Sequence, residues 1–423
     1  MNNLTVLRQG VAALAVMASA MPAFGQQDAA TIGERLAKRA DVARAIGLAP
    51  TLETWVVDQQ IALCQIPAPP FKEQARGVAY RKAFEQLGLQ RVRVDAVGNV
   101  IGERPGAGRG PHLVYSAHLD TVFPEGTPVK VTRDVATLRG PGISDDCRGL
   151  GVVLGVIRAL RDASVQTPGR ITFVGTVGEE GLGDLRGVKH LFGPDGLGQI
   201  DRFVSVDGAG LEITNGGVGS RRYRATFRGP GGHSYGAFGL PNPINAMGRA
   251  IAAIADLQVP ASPKTTFNVG RVGGGTSVNS IPFEAWVEVD LRSEESGPLQ
   301  ALDAKVRAAV EAAVQAENTR WNHAQRITVD MKLVGDRPAG RTADTSDVVV
   351  AARSVLRALS LPVVLENSST DANVAMARGI PAITIGGGGR GTGAHSLEES
   401  FDTTGGVDGT RQAILMAIAL AQP

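Results

Sequence analysis

The sequence is poor in cysteine, in aromatic residues and in excess charge, and each shortage excludes a class of protein. Only two of its 423 residues are cysteines, too few for a fold built on disulfides. Aromatic residues make up 4%, and 43 Lys and Arg stand against 41 Asp and Glu. Such balanced charge argues against a dedicated binder of nucleic acid or of anionic membranes. The 54 glycines follow no repeat, which excludes a collagen-like chain.

Long hydrophobic runs are also scarce, and the clearest one lies near the start. The apolar run from Val11 to Ala20 follows a single basic residue, Arg8, and leads to Ala23-Phe24-Gly25. A membrane-spanning helix needs about 20 apolar residues, so this run is too short to be an anchor. The pattern is typical of a secretory signal peptide over residues 1–25, cleaved after Gly25. It predicts a secreted or periplasmic protein that is soluble once the signal is removed.

The length of the chain and its changing pattern indicate two domains. Residues 26–217 and 331–423 alternate apolar strand-like runs with helical stretches, which is typical of an α/β domain with a mixed central sheet flanked by helices. Residues 218–330 follow the order β-α-β-β-α-β, which predicts an inserted ferredoxin-like α+β domain. Within that insertion, the cluster of Arg221, Arg222 and Arg224 is typical of a solvated strand face.

Three predicted strands of the α/β sheet end in polar clusters. These clusters are His118-Leu119-Asp120, Glu179-Glu180 and Asp207. Because sites form beyond the carboxyl ends of such strands, we expect these side chains to converge. Another acidic pair, Asp145-Asp146, precedes a helical run, and His395 follows a glycine-rich loop. Each cluster alone has an ordinary explanation, such as a helix cap or a solvated pair.

Together the clusters form a mixed set of histidines and carboxylates that is typical of a metal site. Such ligands suit zinc, with manganese or cobalt as alternatives. The set holds more ligands than the four that one structural zinc takes. A bridged pair of metal ions about 3.5–4 Å apart, as in aminopeptidases, would use them all.

The ordered motifs resemble co-catalytic dizinc metallopeptidase family 20, which includes glutamate carboxypeptidases, tripeptide aminopeptidase (peptidase T), aminoacylases and succinyl-diaminopimelate desuccinylase. The matching stretches are SAHLDTVFP (116–124), GPGISDD (140–146), GTVGEEGLGDLRG (175–187), VSVDG (204–208), GPGGHSYGAFGLPNPINA (229–246) and GAHSLEE (393–399). The resemblance covers nearly all of the mature chain. It implies that the insertion is a dimerisation or lid domain, and therefore that the protein is a homodimer.

The resemblance also implies which residues hold two zinc ions in each chain. His118 and Asp207 hold one ion, Glu180 and His395 hold the other, and Asp145 bridges both. The peptide bond that follows the bridging aspartate is often cis in the family. Two cations so held lower the pKa of water towards neutrality.

The remaining roles that the resemblance implies are catalytic and substrate-binding. Glu179, beside a ligand, is the general base that moves a proton to the leaving amine. Asp120 orients the histidine two residues before it, and His233 stabilises the oxyanion, often from the partner subunit. Asn279 and Arg292 resemble positions that contact substrate, where an arginine can grip a carboxylate.

The sequence therefore predicts an exported metallopeptidase that hydrolyses short peptides through a zinc-bridged hydroxide with Glu179 as base. An N-acyl-amino-acid amidohydrolase with the same site is the alternative, since the motifs do not define the substrate. A catalytically inactive binding relative is a different class, disfavoured because every expected ligand is present. Whether peptides are trimmed from the amino or the carboxyl end stays open. Cys64 and Cys147 can pair in an oxidising compartment, although their spacing does not require it.

Overall fold

The computed structural model of the protein describes residues 26–423. The predicted signal peptide and its cleavage after Gly25 lie outside the described residues. Within residues 26–423, none of the helices is long and apolar enough to cross a membrane.

Eleven helices and nineteen strands make up the described part of the chain. The helices are α1 (Gln26–Ala37), α2 (Ala40–Gly47), α3 (Ala49–Cys64), α4 (Gln74–Gln86), α5 (Cys147–Asp162), α6 (Arg186–Leu191), α7 (Pro243–Ala255), α8 (Ser296–Trp321), α9 (Asp347–Ala358), α10 (Ala372–Ala377) and α11 (Gly406–Leu420), with a short 3-10 turn at Gly181–Gly183. The strands are β1 (Gln90–Val94), β2 (Val100–Arg104), β3 (Leu113–His118), β4 (Thr132–Asp134), β5 (Thr137–Arg139), β6 (Ile171–Thr176), β7 (Arg202–Val206), β8 (Ile213–Gly217), β9 (Gly219–Arg228), β10 (Gly232–His233), β11 (Thr265–Gly274), β12 (Ser280–Ile281), β13 (Glu284–Ser293), β14 (Thr328–Arg337), β15 (Gly340–Arg341), β16 (Leu365–Ser368), β17 (Ala382–Ile385), β18 (Arg390–Thr392) and β19 (Ser400–Asp402).

The central sheet has nine strands and is mixed, as the sequence predicts. Its order is β1-β2-β6-β3-β7-β17-β8-β15, and β16 also pairs with β8. Strands β3, β6, β7 and β17 run parallel, whereas β2 is antiparallel to β6. Helices cover both faces because successive strand residues point to opposite sides. Leu113 and Tyr115 of β3 pack in one apolar cluster with α1, α5 and α11, whereas Val114 packs in another with α6 and α10.

The insertion forms a four-stranded antiparallel sheet in the order β11-β13-β9-β14. Alternate residues of β9, Tyr223, Ala225 and Phe227, are buried with the apolar faces of α7 and α8. This is the ferredoxin-like arrangement that the sequence predicts. The last strand continues past residue 330, because β14 stays paired with β9 until Arg337 meets Ser220.

Cys64 and Cys147 are joined by a disulfide, which the sequence left open. Their Cα atoms lie 5.4 Å apart, within the usual range for a bridge. The bridge links the last residue of α3 to the first residue of α5. Because Asp145 and Asp146 directly precede α5, the disulfide anchors the helix that begins at the candidate site.

Candidate active site

The polar clusters at the strand ends converge on one cleft. His118 ends β3, Glu179 and Glu180 follow β6, and Asp207 follows β7. Since β3 is paired with β6 on one side and β7 on the other, these three ends are adjacent. The cleft has a volume of about 390 Å³, within the range of small-molecule sites. It is lined by Val122, Asp145, Glu179, Glu180, Gly181, Asp207, Arg222, Arg292, Arg337, Ser368, Ser369, Thr370 and His395.

The carboxylate of Asp145 lies between the two candidate histidine ligands. Its Oδ1 is 3.0 Å from Nε2 of His118, and its Oδ2 is 3.2 Å from Nε2 of His395. On the outer sides, Nε2 of His118 is 3.9 Å from Oδ1 of Asp207, and Nε2 of His395 is 3.1 Å from Oε1 of Glu180. The five residues therefore form a chain with Asp145 at its centre.

Residues 26–423 contain three overlapping groups of possible ligands, and within each group the ligand atoms lie within 4.8 Å of one another. These groups are His118 with Asp145 and Asp207, His118 with Glu179 and Glu180, and Asp145 with Glu180 and His395. Two of them share Asp145, which is what a bridging ligand requires. Imidazole nitrogens and carboxylate oxygens suit zinc and similar transition metals. The donor set therefore fits a pair of metal ions, and zinc as their identity stays a prediction.

Burial, hydrogen bonds and neighbouring charges shift the pKa values of these residues. Hydrogen bonds to Asp145 and Glu180 raise the pKa of His395 to about 10. Burial and nearby carboxylates, Asp145 among them, raise the pKa of Asp207 well above its usual range. Burial acts the same way on Asp145, but hydrogen bonds from His118 and His395 outweigh it and lower the pKa of Asp145. The carboxylates that raise the pKa of a neighbouring histidine form a cluster of negative charge. Bound cations would neutralise that charge.

Buried Glu399 fixes the loop that carries Asp145. Its carboxylate accepts hydrogen bonds from the main-chain N–H groups of Gly142, Ser144 and Asp145 at 2.8, 2.8 and 3.0 Å, and from Oγ of Ser144 at 2.6 Å. Four donors from one loop hold that loop in a single conformation. Sequence reasoning included Glu399 in a family motif but assigned it no role.

Asp146 joins three segments behind the cleft. Its carboxylate accepts the main-chain N–H of His118 at 3.0 Å, of Gly149 at 2.9 Å and of Gly208 at 3.1 Å. It therefore caps α5 and ties the ends of β3 and β7 to that helix. The peptide bond between Asp145 and Asp146 is cis, which confirms the expectation from the resemblance.

Asp120 contacts His118 through a different atom from the one expected. The main-chain carbonyl of Asp120 lies 3.0 Å from Nδ1 of His118, whereas its carboxylate oxygen lies 3.8 Å from that nitrogen. The carboxylate instead accepts the N–H groups of Glu179 and Glu180 at 3.0 and 2.8 Å. A fully buried carboxylate needs donors, and these two N–H groups supply them. Asp120 thus holds the loop that carries Glu179 and Glu180.

Glu179 lies in the cleft beside an arginine that the sequence did not suggest. Its Oε1 is 3.0 Å from Nη1 of Arg337, which also donates through Nη2 to the main-chain carbonyl of Glu179. Burial and the charge of Glu180 raise the pKa of Glu179, although Arg337 opposes the shift. Arg337 is 158 residues from Glu179 in the chain, so no local sequence pattern predicts the contact.

Two further arginines of the inserted sheet share one carboxylate at the cleft. Nε of Arg222 is 3.0 Å from Oδ1 of Asp290, and Nε of Arg292 is 2.7 Å from Oδ2. Arg222 also donates from Nη1 to the carbonyl of Gly181 at 2.6 Å. The prediction that Arg222 belongs to a solvated face is therefore wrong, because the strand turns this side chain towards the loop after β6.

His233 and Asn279 lie outside the cleft of the single chain. Both residues are exposed. His233 ends β10 and Asn279 directly precedes β12, which pairs with β10, and the N–H of Ser234 donates to the carbonyl of Asn279 at 2.9 Å. Nδ1 of His233 accepts N–H groups from Tyr235 and Gly236 at 3.2 and 3.3 Å. Neither residue lines the cleft, so their predicted roles stay predictions.

A mixed sheet flanked by helices, with candidate metal ligands at its strand ends and an inserted α+β domain, is typical of metal-dependent hydrolases. Residues 114–417 match the model of peptidase family M20/M25/M40, and the chain belongs to this family. The family that the motifs resemble is thereby confirmed. Its members' chemistry and the ligand set make the protein a metallo-hydrolase that acts on peptide or amide bonds.

This chain covers nearly the full length of three similar proteins. An uncharacterized protein, YqjE of Bacillus subtilis strain 168, is 26% identical over 352 residues, which are 79% of this chain and 90% of that protein. The crystal structure of aminopeptidase PepT from Bacillus cereus has a TM-score of 0.68 at 22% identity, covering 87% of this chain and 98% of that one. YxeP of Bacillus subtilis, a dinuclear metal-binding peptidase, has a TM-score of 0.65 at 18% identity, covering 88% and 100%. These structures share the fold.

Proposed function

We propose that the protein is an exported dizinc peptidase that hydrolyses short peptides, with Glu179 as general base. One observation carries the proposal. The two carboxylate oxygens of Asp145 face His118 and His395, with Glu179 lining the same cleft. A carboxylate between two imidazoles, next to a further carboxylate, is the arrangement that a two-metal hydrolase needs.

Five residues would hold the two metal ions. His118 and Asp207 would hold one, Glu180 and His395 the other, with Asp145 between them. When bound, the zinc ions polarise the scissile carbonyl and lower the pKa of water. Glu399, Asp146 and Asp120 accept main-chain N–H groups at or next to four of these residues, namely Asp145, His118, Asp207 and Glu180.

Glu179 moves the proton during hydrolysis. Its carboxylate accepts a proton from the attacking water and then donates it to the leaving amine. Burial and neighbouring Glu180 raise the pKa of Glu179, which favours proton uptake, and Arg337 limits that shift. One oxygen of the carboxylate faces Arg337 at 3.0 Å, so the carboxylate has a defined orientation.

Arg292 is the best candidate for gripping the substrate. Its side chain is 40% exposed, against 16% for Arg222 and 5% for Arg337. Asp290 orients it through Nε, which leaves its outer fork towards the cleft. A guanidinium there suits a free carboxylate, such as the end of a short peptide. The cleft volume and the similarity to aminopeptidase PepT support a small peptide as substrate.

A homodimer would complete the site with His233. Tyr235, Phe238, Val278 and Phe283, near His233 in the insertion, are exposed apolar side chains. Exposed apolar groups of this kind mark surfaces that pack against other proteins. A second copy packed there would exclude water from them and bring its His233 to the neighbouring cleft as oxyanion donor.

Two features support export. The pattern of residues 1–25 is typical of a signal peptide, and the Cys64–Cys147 disulfide suits an oxidising compartment such as the periplasm.

The decisive experiment combines elemental analysis with hydrolysis of a panel of dipeptides and tripeptides. We expect two zinc ions per chain, activity lost on chelation, and a fall of about 10²–10⁴-fold in Glu179→Gln with the metal retained. The cleavage pattern will identify the end that is trimmed. Full metal content with hydrolysis of N-acyl amino acids alone would favour the amidohydrolase. Failure to bind metal after zinc is supplied would contradict the proposal.

A further inference from the structure

We propose that Arg337, the last residue of the inserted sheet, is a positioning residue that sets the carboxylate of Glu179 for proton transfer. The inference rests on the proposed role of Glu179 as base. It assigns to the insertion a direct part in the proton-transfer machinery, through a residue that approaches the base from a different domain.

Arg337 holds Glu179 at two points. Nη1 lies 3.0 Å from Oε1 of Glu179, and Nη2 donates to the main-chain carbonyl of the same residue. Nη1 also lies 3.2 Å from Oγ of Ser369. Because a guanidinium is planar and its donors diverge at fixed angles, gripping both main chain and side chain restricts rotation of the carboxylate.

The same contacts argue against a substrate-binding role for Arg337. Its side chain is only 5% exposed, and both terminal nitrogens point at protein oxygens. Arg292, at 40% exposed, remains the residue that a substrate carboxylate can reach. Arg337 therefore contacts the base, whereas Arg292 is accessible to a substrate in the cleft.

Further contacts join the insertion to the loop that carries the base. Arg222 of β9 donates to the carbonyl of Gly181 at 2.6 Å. The N–H of Asp336 donates to Asp184 at 2.8 Å, and Nζ of Lys189 reaches the carbonyl of Asp336 at 2.9 Å. These bonds place the end of β14 against the segment after Glu180. Consequently the position of the inserted sheet relative to the α/β domain and the orientation of the Glu179 side chain depend on each other.

Loss of this grip should slow chemistry more than binding. A misplacement of about 1 Å in a catalytic group can cost about 10²-fold in rate. An interaction that acts only in the transition state lowers kcat and leaves KM nearly unchanged. Arg337→Met removes the grip, Arg337→Lys restores the charge without the fork, and Arg228→Met serves as the control. Arg228 lies on the same sheet, is exposed and pairs with Glu284 at 3.2 Å.

The test is steady-state peptide hydrolysis by the zinc-loaded full chain, with metal content and Tm measured for each variant. We expect Arg337→Met to lower kcat about 10²-fold with KM within about twofold, Arg337→Lys to recover part of it, and Arg228→Met to match the wild type. A rise in KM at unchanged kcat would overturn the proposal in favour of substrate binding. Metal loss in both Arg337 variants would overturn it in favour of a structural role.

A double-mutant cycle separates this inference from the function on which it rests. If Arg337 acts through Glu179, adding Arg337→Lys or Arg337→Met to Glu179→Gln should cause no further loss. Additive losses would overturn the positioning role while leaving Glu179 as base. Full activity of Glu179→Gln alone would instead contradict the proposed function. The lysine variant keeps a cation beside the buried carboxylate, so the cycle remains measurable if the methionine variant does not fold.

Discussion

The two domains supply their parts of the site in different ways. In the α/β domain, the candidate ligands are held by buried carboxylates, with Glu399 fixing the Asp145 loop and Asp120 fixing the loop of Glu179 and Glu180. In the insertion, His233 and Asn279 lie exposed on a short ribbon outside the cleft. One chain therefore brings the candidate metal ligands together, whereas the proposed oxyanion donor, His233, does not line the cleft of its own chain.

The difference follows from how each part is supported. Strand ends in a buried parallel sheet have little freedom, and a carboxylate that accepts several main-chain N–H groups fixes them further. The separate two-stranded ribbon of β10 and β12, with two residues in each strand, has little such support of its own. The site thus combines a rigid metal-binding part with a part that we expect a second copy to complete.

The largest expected effect tests the rigid part. Asp145→Ala removes the residue common to both candidate metal positions, so we expect loss of bound metal and a fall in kcat/KM of about 10³-fold or more, equivalent to several kcal/mol. Metal analysis and peptide hydrolysis measure both effects. Asp134→Ala, on exposed strand β4, is the control and should match the wild type. Two ions retained by Asp145→Ala would contradict the bridging role.

The next prediction tests the part supplied by the insertion. His233→Ala should lower kcat by about 10²–10³-fold, the cost of one oxyanion donor, while metal content stays at the wild-type level. Hydrolysis rates and elemental analysis of the same sample measure the two effects. Loss of metal in this variant would contradict the division of roles between the domains, because His233 would then contribute to metal binding.

Mixed dimers show which chain supplies His233. In a dimer of one Glu179→Gln chain and one His233→Ala chain, a donor acting across the interface leaves one site with both groups intact. Each parent would be nearly inactive, and mixing them should restore up to half of the wild-type activity per mixed dimer. If His233 serves its own cleft, both sites in the mixed dimer are defective. Absence of recovery despite demonstrated mixing would therefore contradict the proposed exchange.

A smaller effect is expected from the carboxylates behind the ligands. Glu399→Gln weakens four hydrogen bonds to the Asp145 loop, so we expect metal affinity to fall by about 10–100-fold. Metal titration against a competing chelator measures the change. Glu398→Gln is the matched control, because it makes the same chemical change in the neighbouring side chain, which is exposed. Equal affinities in the two variants would show that the loop keeps its conformation without Glu399.

Local pattern placed the candidate ligands at strand ends but did not indicate the contacts between distant segments. Continuous apolar runs located β3 and β6, whose residues are all buried, and His118 and Glu179 therefore fell at or just beyond strand ends. The contact between Glu399 and Asp145 spans 254 residues, and that between Arg337 and Glu179 spans 158. Contacts between residues so far apart in sequence depend on the tertiary fold. No spacing in one sequence encodes them.

Residue type also did not reveal the direction in which a side chain points. Asp120 was expected to address His118, but two N–H groups beyond β6 compete for its carboxylate and hold it. Arg222 looked like one of several solvated arginines on β9. Arg222 and Arg224 both pair with a carboxylate of β13, and the bond to the carbonyl of Gly181 distinguishes Arg222. In both cases the deciding atoms belong to another strand or loop.

The Cys64–Cys147 disulfide tests whether the rigid part depends on a covalent link. The bridge closes a loop of 83 residues, so the double variant Cys64→Ala/Cys147→Ala should lose about 2–4 kcal/mol of unfolding free energy. Denaturant titration of the zinc-loaded enzyme measures the loss. At low denaturant we expect kcat close to the wild-type value, because the N-cap of Asp146 and the bonds of Glu399 still hold the start of α5. A large fall in metal affinity in the fully folded variant would instead make the disulfide part of the metal site's support.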